Sequence, residues 1–250
     1  MPPPTPSGST VDDREVARFA ALAAEWWDPR GPMGMLHTLN PTRLAYIRDA
    51  ACRHFGRDPK AGKCLDGLRV LDIGCAAGIL CEPLRRLGAS VVGADPAAAN
   101  IEAARLHAAR GGLEIDYRAT TAEALAQAGE RFNLVLAMEV VEHVADLAEF
   151  VRCCTAMVAP GGLMVTATIN RTLKSFALMI VGVEYVLRWL PRGTHHWDKF
   201  ITPNELEALL ARNGSRVIDQ RGVVYDILRD AFDLSGDMDV NYMLLAERPA

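Results

Sequence analysis

The chain has 250 residues, a formal net charge of −4, and hydrophobic residues at 50% of its positions. That length suits one α/β domain with additions and is too short for two unrelated full domains. Because the overall charge is negative, the chain lacks the general positive field with which proteins bind nucleic-acid phosphates. We therefore expect no nucleic-acid partner.

The start of the chain and its cysteines predict the cellular compartment of the protein. The 6 cysteines form no C-x-x-C pair, and the first residues lack the charged and apolar regions of a secretory signal. We therefore expect a cytoplasmic protein with reduced thiols. Residues 1–10 offer almost nothing apolar to bury and predict a disordered tail, whereas residues 11–250 predict a single domain.

Two helices are expected at the start of this domain, where residues 11–56 predict a helical cap. Apolar residues such as Val16, Phe19 and Trp26 recur at helical spacing, and a turn rich in proline and glycine follows at residues 28–32. Asn40 and Pro41 resemble the N-cap and first position of a second helix.

Strand-like and helix-like segments then alternate along the chain. Apolar strands are predicted at residues 69–73, 90–94, 114–118, 132–137 and 163–168, with helices at 79–87, 97–109, 122–127 and 146–157. A helix from about residue 202 and strands at 215–220 and 241–247 complete the pattern. Such alternation implies right-handed crossovers, and therefore a doubly wound, mostly parallel seven-stranded α/β sheet.

The first strand and helix, residues 69–87, are joined by a glycine turn. Gly74 and Gly78 permit close approach of a small molecule, and Asp95, at the end of the second strand, suits ribose hydroxyls. NAD is an alternative ligand, but the loop lacks the G-x-G-x-x-G spacing that a pyrophosphate needs. The D-I-G-C-x-x-G run resembles the first motif of class I methyltransferases, which bind S-adenosyl-L-methionine. That resemblance implies that Asp72 orients the methionine amino group, and the alternative is a turn cap.

Three ionisable residues interrupt the apolar run after the fourth strand. Glu139, Glu142 and His143 fall at i, i+3 and i+4, so on a turn or helix they face one side. This set suits Mg²⁺, Mn²⁺ or Zn²⁺, and its carboxylates favour harder ions such as Mg²⁺. An ion there would lower the pKa of a catechol hydroxyl and fix its oxygen for attack. The alternative is an exposed helix start with acids on the helix dipole.

Residues 170–199 form a segment that the alternation does not require. The apolar run at residues 176–190 contains Glu184 and Arg188 and is too short to cross a bilayer core of roughly 30 Å. Basic residues outnumber acidic ones between 171 and 199, which favours contact with an anionic membrane surface. The alternative is a lid that shields the substrate, and the two roles can coexist.

Several motifs follow one another in order over nearly the whole chain. They are WWD at residues 26–28, LHTLNPTRLAYI at 36–47, LDIGC at 71–75, EVVEHV at 139–144, NRTLKS at 170–175, EYVLRWLPRGTH at 184–195 and VNYM at 240–243. Together they resemble the ubiquinone-biosynthesis O-methyltransferase family. Members of that family use S-adenosyl-L-methionine to methylate catechol oxygens of polyprenylated intermediates at two stages.

The resemblance implies roles for individual residues. Arg43, Gly74, Asp95 and Met138 would contact the cofactor, with Arg43 on the methionine carboxylate, and Glu139, Glu142 and His143 would bind the cation. His143 and His195 are the expected catalytic residues, and either His195 or His196 is a candidate general base. From periodicity alone, Arg43 reads as a solvated helix residue.

The resemblance also sets expectations for partners and location. The expected partners are a polyprenylated catechol, an anionic membrane contacted through residues 171–199, and a ubiquinone-biosynthesis complex. The protein would lie peripherally on the inner membrane. Other hypotheses are a non-catalytic S-adenosylmethionine-binding module, a methyltransferase for another small phenol or quinone, and an NAD-dependent oxidoreductase.

Two positions depart from the family pattern. Ala76 and Ala77 replace glycines of the G-C-G-G-G loop, which is tolerable where neither position needs a positive φ. His196 replaces an aspartate that would stand next to His195.

Overall fold

The computed structural model describes residues 9–178 and 197–250. The predictions for His195, His196, residues 1–8 and most of the segment 170–199 fall outside the described residues. Within the described part, no helix is long and apolar enough to cross a membrane.

One eight-stranded sheet organises the fold, in the order β3-β2-β1-β4-β5-β8-β6-β7. The strands are β1 (Arg69–Ile73), β2 (Ser90–Asp95), β3 (Asp116–Ala119), β4 (Phe132–Met138), β5 (Val158–Ile169), β6 (Arg216–Asp226), β7 (Ala231–Ser235) and β8 (Asn241–Glu247). The first five are mutually parallel, while β8 runs antiparallel to both β5 and β6. The doubly wound α/β fold is confirmed.

The sheet has one strand more than the seven predicted. β7 pairs antiparallel with β6, with Tyr225 opposite Phe232. The sequence gave little indication of β7 because it is short and only Phe232 and Leu234 among its residues are large and apolar. It forms because a tight turn after Asp226 folds the chain directly back along β6.

Helices cover both faces of the sheet. They are α1 (Asp13–Ala21), α2 (Gly34–His54), α3 (Cys81–Arg86), α4 (Ala98–Arg110), α5 (Ala122–Gln127), α6 (Leu147–Met157), α7 (Leu173–Ser175) and α8 (Pro203–Arg212). Side chains alternate along β4, so that Leu134 and Leu136 join one hydrophobic core while Val135 and Ala137 join the other. Burial on both faces explains why the central strands are continuous apolar runs.

The predicted start of the second helix was wrong. Met33 is the N-cap of α2, and Pro41 lies inside the helix instead of at its first position. A proline costs a backbone hydrogen bond there. The helix nevertheless extends toward its N-terminus because that turn packs apolar side chains, including Leu36 and Leu39, against the core.

The predicted tail also ends too late. Thr10 is buried, its backbone N–H donates to the Glu123 carboxylate, and its carbonyl accepts from the backbone N–H of Ala145 at 2.8 Å. The chain is therefore fixed to the domain before α1 begins.

The turn after β1 depends on residues with left-handed backbone conformation. Gly74 has φ +74° and Gly78 has φ +80°, and a Cβ would lie 2.4 Å from a Val140 methyl and 2.1 Å from the Tyr117 hydroxyl, respectively. Ala76, between them, has φ +48°, whereas Ala77 has no positive φ and is fully buried. One of the two departures from the glycine pattern therefore stands where glycine is favoured.

We expect Ala76→Gly to stabilise the protein by about 1 kcal/mol, because it removes the steric cost of a left-handed alanine. The matched change Ala77→Gly should destabilise it by about 1 kcal/mol, because it removes a buried methyl group and relieves no left-handed backbone conformation. Thermal and urea unfolding measure both. A lower melting temperature for Ala76→Gly would contradict this account of the turn.

Candidate active site

A cavity of about 550 Å³ opens at the carboxyl ends of the parallel strands. It lies between β1 and β4, where the strand order of the sheet reverses direction. Open α/β sheets bind their ligands at this point. Residues of α1 and α2 cover it, and the β6–β7 hairpin lines its far end.

Asp95 joins the end of β2 to the glycine turn. Its carboxylate accepts from the backbone N–H of Ala76 at 3.0 Å and of Ala97 at 2.8 Å. The Asn100 amide adds a third donor at 3.3 Å. Burial raises the pKa of Asp95, and the three donors oppose that shift. These contacts hold the carboxylate beside the loop, where Asp95 lines the cavity.

Asp72 and Gly74 also line the cavity, whereas Gly78 packs against Tyr117 and lies outside the lining. Burial raises the pKa of Asp72 to about 7. The Cys81 thiol donates to its carboxylate at 3.2 Å. Asp72 therefore carries a proton part of the time near neutral pH, and a cation placed beside it would favour its charged form.

The wall beyond Asp95 is formed by the start of α5 and by Asn100 of α4. Thr121 caps α5 by accepting from the backbone N–H of Ala124 at 3.3 Å, and it lines the cavity as well. The side-chain oxygen of Asn100 is buried without a hydrogen-bond partner among the described residues. Such an oxygen is an acceptor that a ligand in this end of the cavity can satisfy.

Arg43 is buried in the middle of the cavity, although its helical spacing alone suggested a solvated residue. Its guanidinium is paired with the Glu139 carboxylate. Glu139 follows Met138 at the end of β4 and has φ +55°, an unfavourable conformation for a glutamate. Strain of this kind is tolerated where the surrounding structure fixes a functional side chain. Both Glu139 and Met138 line the cavity.

Glu142 lies on a 3₁₀ turn, Val141–His143, and points inward. The Thr168 hydroxyl donates to it at 2.8 Å, and the Glu139 carboxylate is its other neighbour. Burial, and then the charge of Glu139, raises the pKa of Glu142 well above its usual range. The structure thus brings these two carboxylates together, and burial beside Glu139 favours the neutral form of Glu142.

His143 turns away from that pair and toward α1. Its Nδ1 lies 2.9 Å from the Glu15 carboxylate, and its ring meets Phe19 edge-on with centroids 5.1 Å apart. Within residues 9–178 and 197–250, no group of three or more His, Cys, Asp and Glu side chains is arranged to hold a metal ion. The predicted triad is therefore assembled only as a pair plus a nearby imidazole.

Three contacts near the cavity could not be predicted from the sequence. In the sequence, Glu15 looks like an ordinary acidic residue of a helix, and only the fold brings it next to His143. Trp27 donates from its ring nitrogen to the Ala77 carbonyl at 2.9 Å and stacks on His107 with centroids 3.4 Å apart. These contacts tie the N-terminal part of the chain to the turn after β4, to the glycine turn and to α4.

Comparison with known proteins identifies the family. A family model described as a methyltransferase domain matches residues 20–220. The ubiquinone biosynthesis O-methyltransferase of Brucella anthropi is 60% identical over 242 residues, which cover 97% of this chain and 98% of that protein. The protein with the same name from a Chelativorans species is 61% identical, covering 96% of this chain and 95% of its own.

Solved structures share the fold at low sequence identity. Magnesium protoporphyrin IX methyltransferase from Synechocystis, with bound SAM, has a TM-score of 0.61 at 16% identity and covers 95% of this chain and 98% of its own. A possible histamine N-methyltransferase from Thermotoga maritima has a TM-score of 0.61 at 15% identity, covering 94% and 99%. The solved structures show the fold, and the relatives, at 60% and 61% sequence identity, show the family. The chain therefore belongs to the ubiquinone biosynthesis O-methyltransferase family.

Proposed function

We propose that this protein is an S-adenosyl-L-methionine-dependent O-methyltransferase that methylates catechol hydroxyls of polyprenylated intermediates at both O-methylation steps of ubiquinone biosynthesis. The observation that carries the proposal is one continuous cavity with two chemically different ends. Asp72, Asp95 and Asn100 line one end, and Glu139, Glu142 and His143 line the other. Family membership selects the acceptor.

The cofactor end suits each part of S-adenosyl-L-methionine. Asp95 has the free lone pairs to accept from ribose hydroxyls, and the Asn100 oxygen supplies a further acceptor. Arg43 offers its guanidinium to the methionine carboxylate, and Asp72 faces the amino group. Gly74 lets the chain approach the ligand, while Gly78 acts through the shape of the turn. Met138 lies where the methyl donor meets the acceptor.

In the reaction, the acceptor oxygen loses its proton and attacks the methyl carbon opposite the sulfur. The O–CH₃ bond forms as the S–CH₃ bond breaks, and S-adenosylhomocysteine leaves with both electrons of that bond. The cavity walls align the two reactants and exclude water. His143 and His195 are the proposed proton acceptors, and Glu15 fixes the orientation of the His143 ring.

A divalent cation, with Mg²⁺ favoured, is part of the proposal. Glu139 and Glu142 fit it, because two neighbouring carboxylates, of which Glu142 is buried, are oxygen ligands that a hard cation prefers. His143 fits only after exchanging its contact with Glu15. When bound, such an ion would lower the pKa of a catechol hydroxyl and fix its oxygen.

Methyl transfer to a short-chain polyprenyl catechol tests the proposed activity. Asp95→Asn should raise the KM for S-adenosyl-L-methionine roughly ten- to a hundredfold, because a charged acceptor is lost from the ribose site. Asp116→Asn, an exposed carboxylate at the start of β3, is the matched control. Cofactor binding without transfer to any catechol would favour a non-catalytic module, and binding of NAD alone would overturn the proposal.

The cation has its own test. Chelation should lower activity and added Mg²⁺ restore it, and Glu142→Gln should weaken Mn²⁺ binding roughly ten- to a hundredfold in calorimetry of the cofactor-loaded protein. Glu149→Gln, in the first turn of α6 and with its side chain 28% exposed, should bind Mn²⁺ like the unaltered protein. Full activity and no Mn²⁺ binding after chelation would remove the cation from the mechanism.

We also propose peripheral membrane contact through residues 171–199. The described ends of this stretch support it, because Leu173 is 82% exposed and Leu178 is 50% exposed beside Lys174. Leu173→Asp should reduce sedimentation with anionic liposomes, whereas Leu106→Asp on α4, also exposed, should not. Equal sedimentation of both variants and the unaltered protein would contradict membrane contact here.

A further inference from the structure

The cavity continues past the reacting residues as an apolar groove that the mechanism above does not use. The groove follows the sheet edge away from β4. Met138 lies on β4 in register with Ala167 of β5, and Ile169 of β5 pairs with Asn241 of β8, which in turn pairs with Val223 of β6. Its apolar lining includes Ile169, Leu178, Val223, Ile227, Phe232 and Val240.

The β6–β7 hairpin forms the outer wall of this groove. Val223 is buried, and Tyr225 packs on Phe232 with ring centroids 5.0 Å apart. The Thr42 hydroxyl donates to the Phe232 carbonyl at 2.6 Å, which fixes the hairpin to α2. The hairpin is therefore held in place by side-chain packing and by a hydrogen bond to α2.

Charges near the groove are paired with one another. Lys174 lies 2.5 Å from the Asp237 carboxylate and 3.4 Å from that of Asp239 at the rim. The lining between the rim and Met138 is dominated by aliphatic and aromatic side chains, and it includes only isolated polar groups such as Asn241. A ligand in this groove is recognised by its apolar surface.

The far end of the groove is open. Ile227, in the hairpin turn, lines the groove and is still 75% exposed, and Leu228 next to it is 95% exposed without lining the groove. Three strand spacings separate β4 from β6, which is roughly 14 Å at about 4.8 Å per spacing. The groove is thus a short apolar channel from the reaction centre to an apolar exit.

We infer that this groove holds the first part of the acceptor's prenyl tail, with the β6–β7 hairpin as the element that selects a tailed acceptor. The inference rests on the proposed function, because it takes the catechol ring to lie beside Met138 and Glu139. From there an apolar lining leads outward past Val223 and Phe232 to Ile227. A longer tail leaves at the exit and continues outside the protein.

The test compares two variants of the hairpin turn on two acceptors, a catechol with a prenyl tail in detergent micelles and the same catechol without a tail. Ile227→Asp places a charge in the groove and should lower the ratio of kcat/KM, tailed over tailless, about tenfold. Ile227→Ala should lower it in the same direction by less. Leu228→Asp places the same charge one residue away, outside the groove, and should leave the ratio unchanged.

The outcomes separate the groove from the proposed function. An equal loss of tail preference in Ile227→Asp and Leu228→Asp would assign the turn to micelle contact and overturn the groove. An unaltered protein that methylates both acceptors with the same kcat/KM would overturn it too, while leaving the activity in place. Failure of the unaltered protein on both acceptors would instead refute the proposed function itself. Circular dichroism melts confirm that each variant is folded.

Discussion

Excess buried negative charge is the constraint on which this cavity depends. Asp72, Asp95 and Glu142 are all less than a tenth exposed, and Glu139 adjoins them, while Arg43 is the buried cation beside them. Burying a carboxylate without compensation is costly, so such groups take up protons or find cations. Here Asp72 and Glu142 have raised pKa values, and Glu139 takes the one arginine.

That imbalance matches the ligand of the proposed reaction. S-adenosyl-L-methionine carries a positive sulfonium and a positive ammonium group, and both would enter next to Asp72, Asp95 and Glu142, which form no ion pair within residues 9–178 and 197–250. Its own carboxylate would compete with Glu139 for Arg43. The charge distribution that is unfavourable for buried carboxylates is therefore favourable for a cation, whether it comes with the cofactor or as a metal ion.

The sequence predicted the parts of the molecule whose structure is decided locally. The central strands are buried on both faces, so their apolar runs show in the sequence, and the glycine turn and Asp95 follow from spacing along two adjacent strands. Glu139 and Glu142 stood out because charged residues interrupt an apolar run. The glycine pattern failed at Ala76, which occupies a left-handed position that its residue type does not reveal.

The remaining features depend on contacts between distant parts of the chain. Arg43 reaches Glu139 across 96 positions, and no periodicity in α2 indicates it. His143 was expected to face its neighbours, but Glu15 on α1 competes for the imidazole, and that competition exists only after folding. The start of α2 and the strand β7 were missed for the same reason, because tertiary packing outweighed weak local signals.

This division has a functional consequence. The sheet belongs to the fold that the solved structures share at 15–16% identity, and a fold does not determine an acceptor. Side chains from elements outside the parallel strands also line the cavity: α1 supplies Glu15 and Phe19, α2 supplies Arg43, and the β6–β7 hairpin supplies Phe232. Because α2 is fixed to the hairpin through Thr42 and to the reacting carboxylates through Arg43, the arginine and the outer wall hold a common position. A change in the hairpin can therefore reach Arg43 through α2, whereas Asp95 is held by separate contacts with Ala76, Ala97 and Asn100.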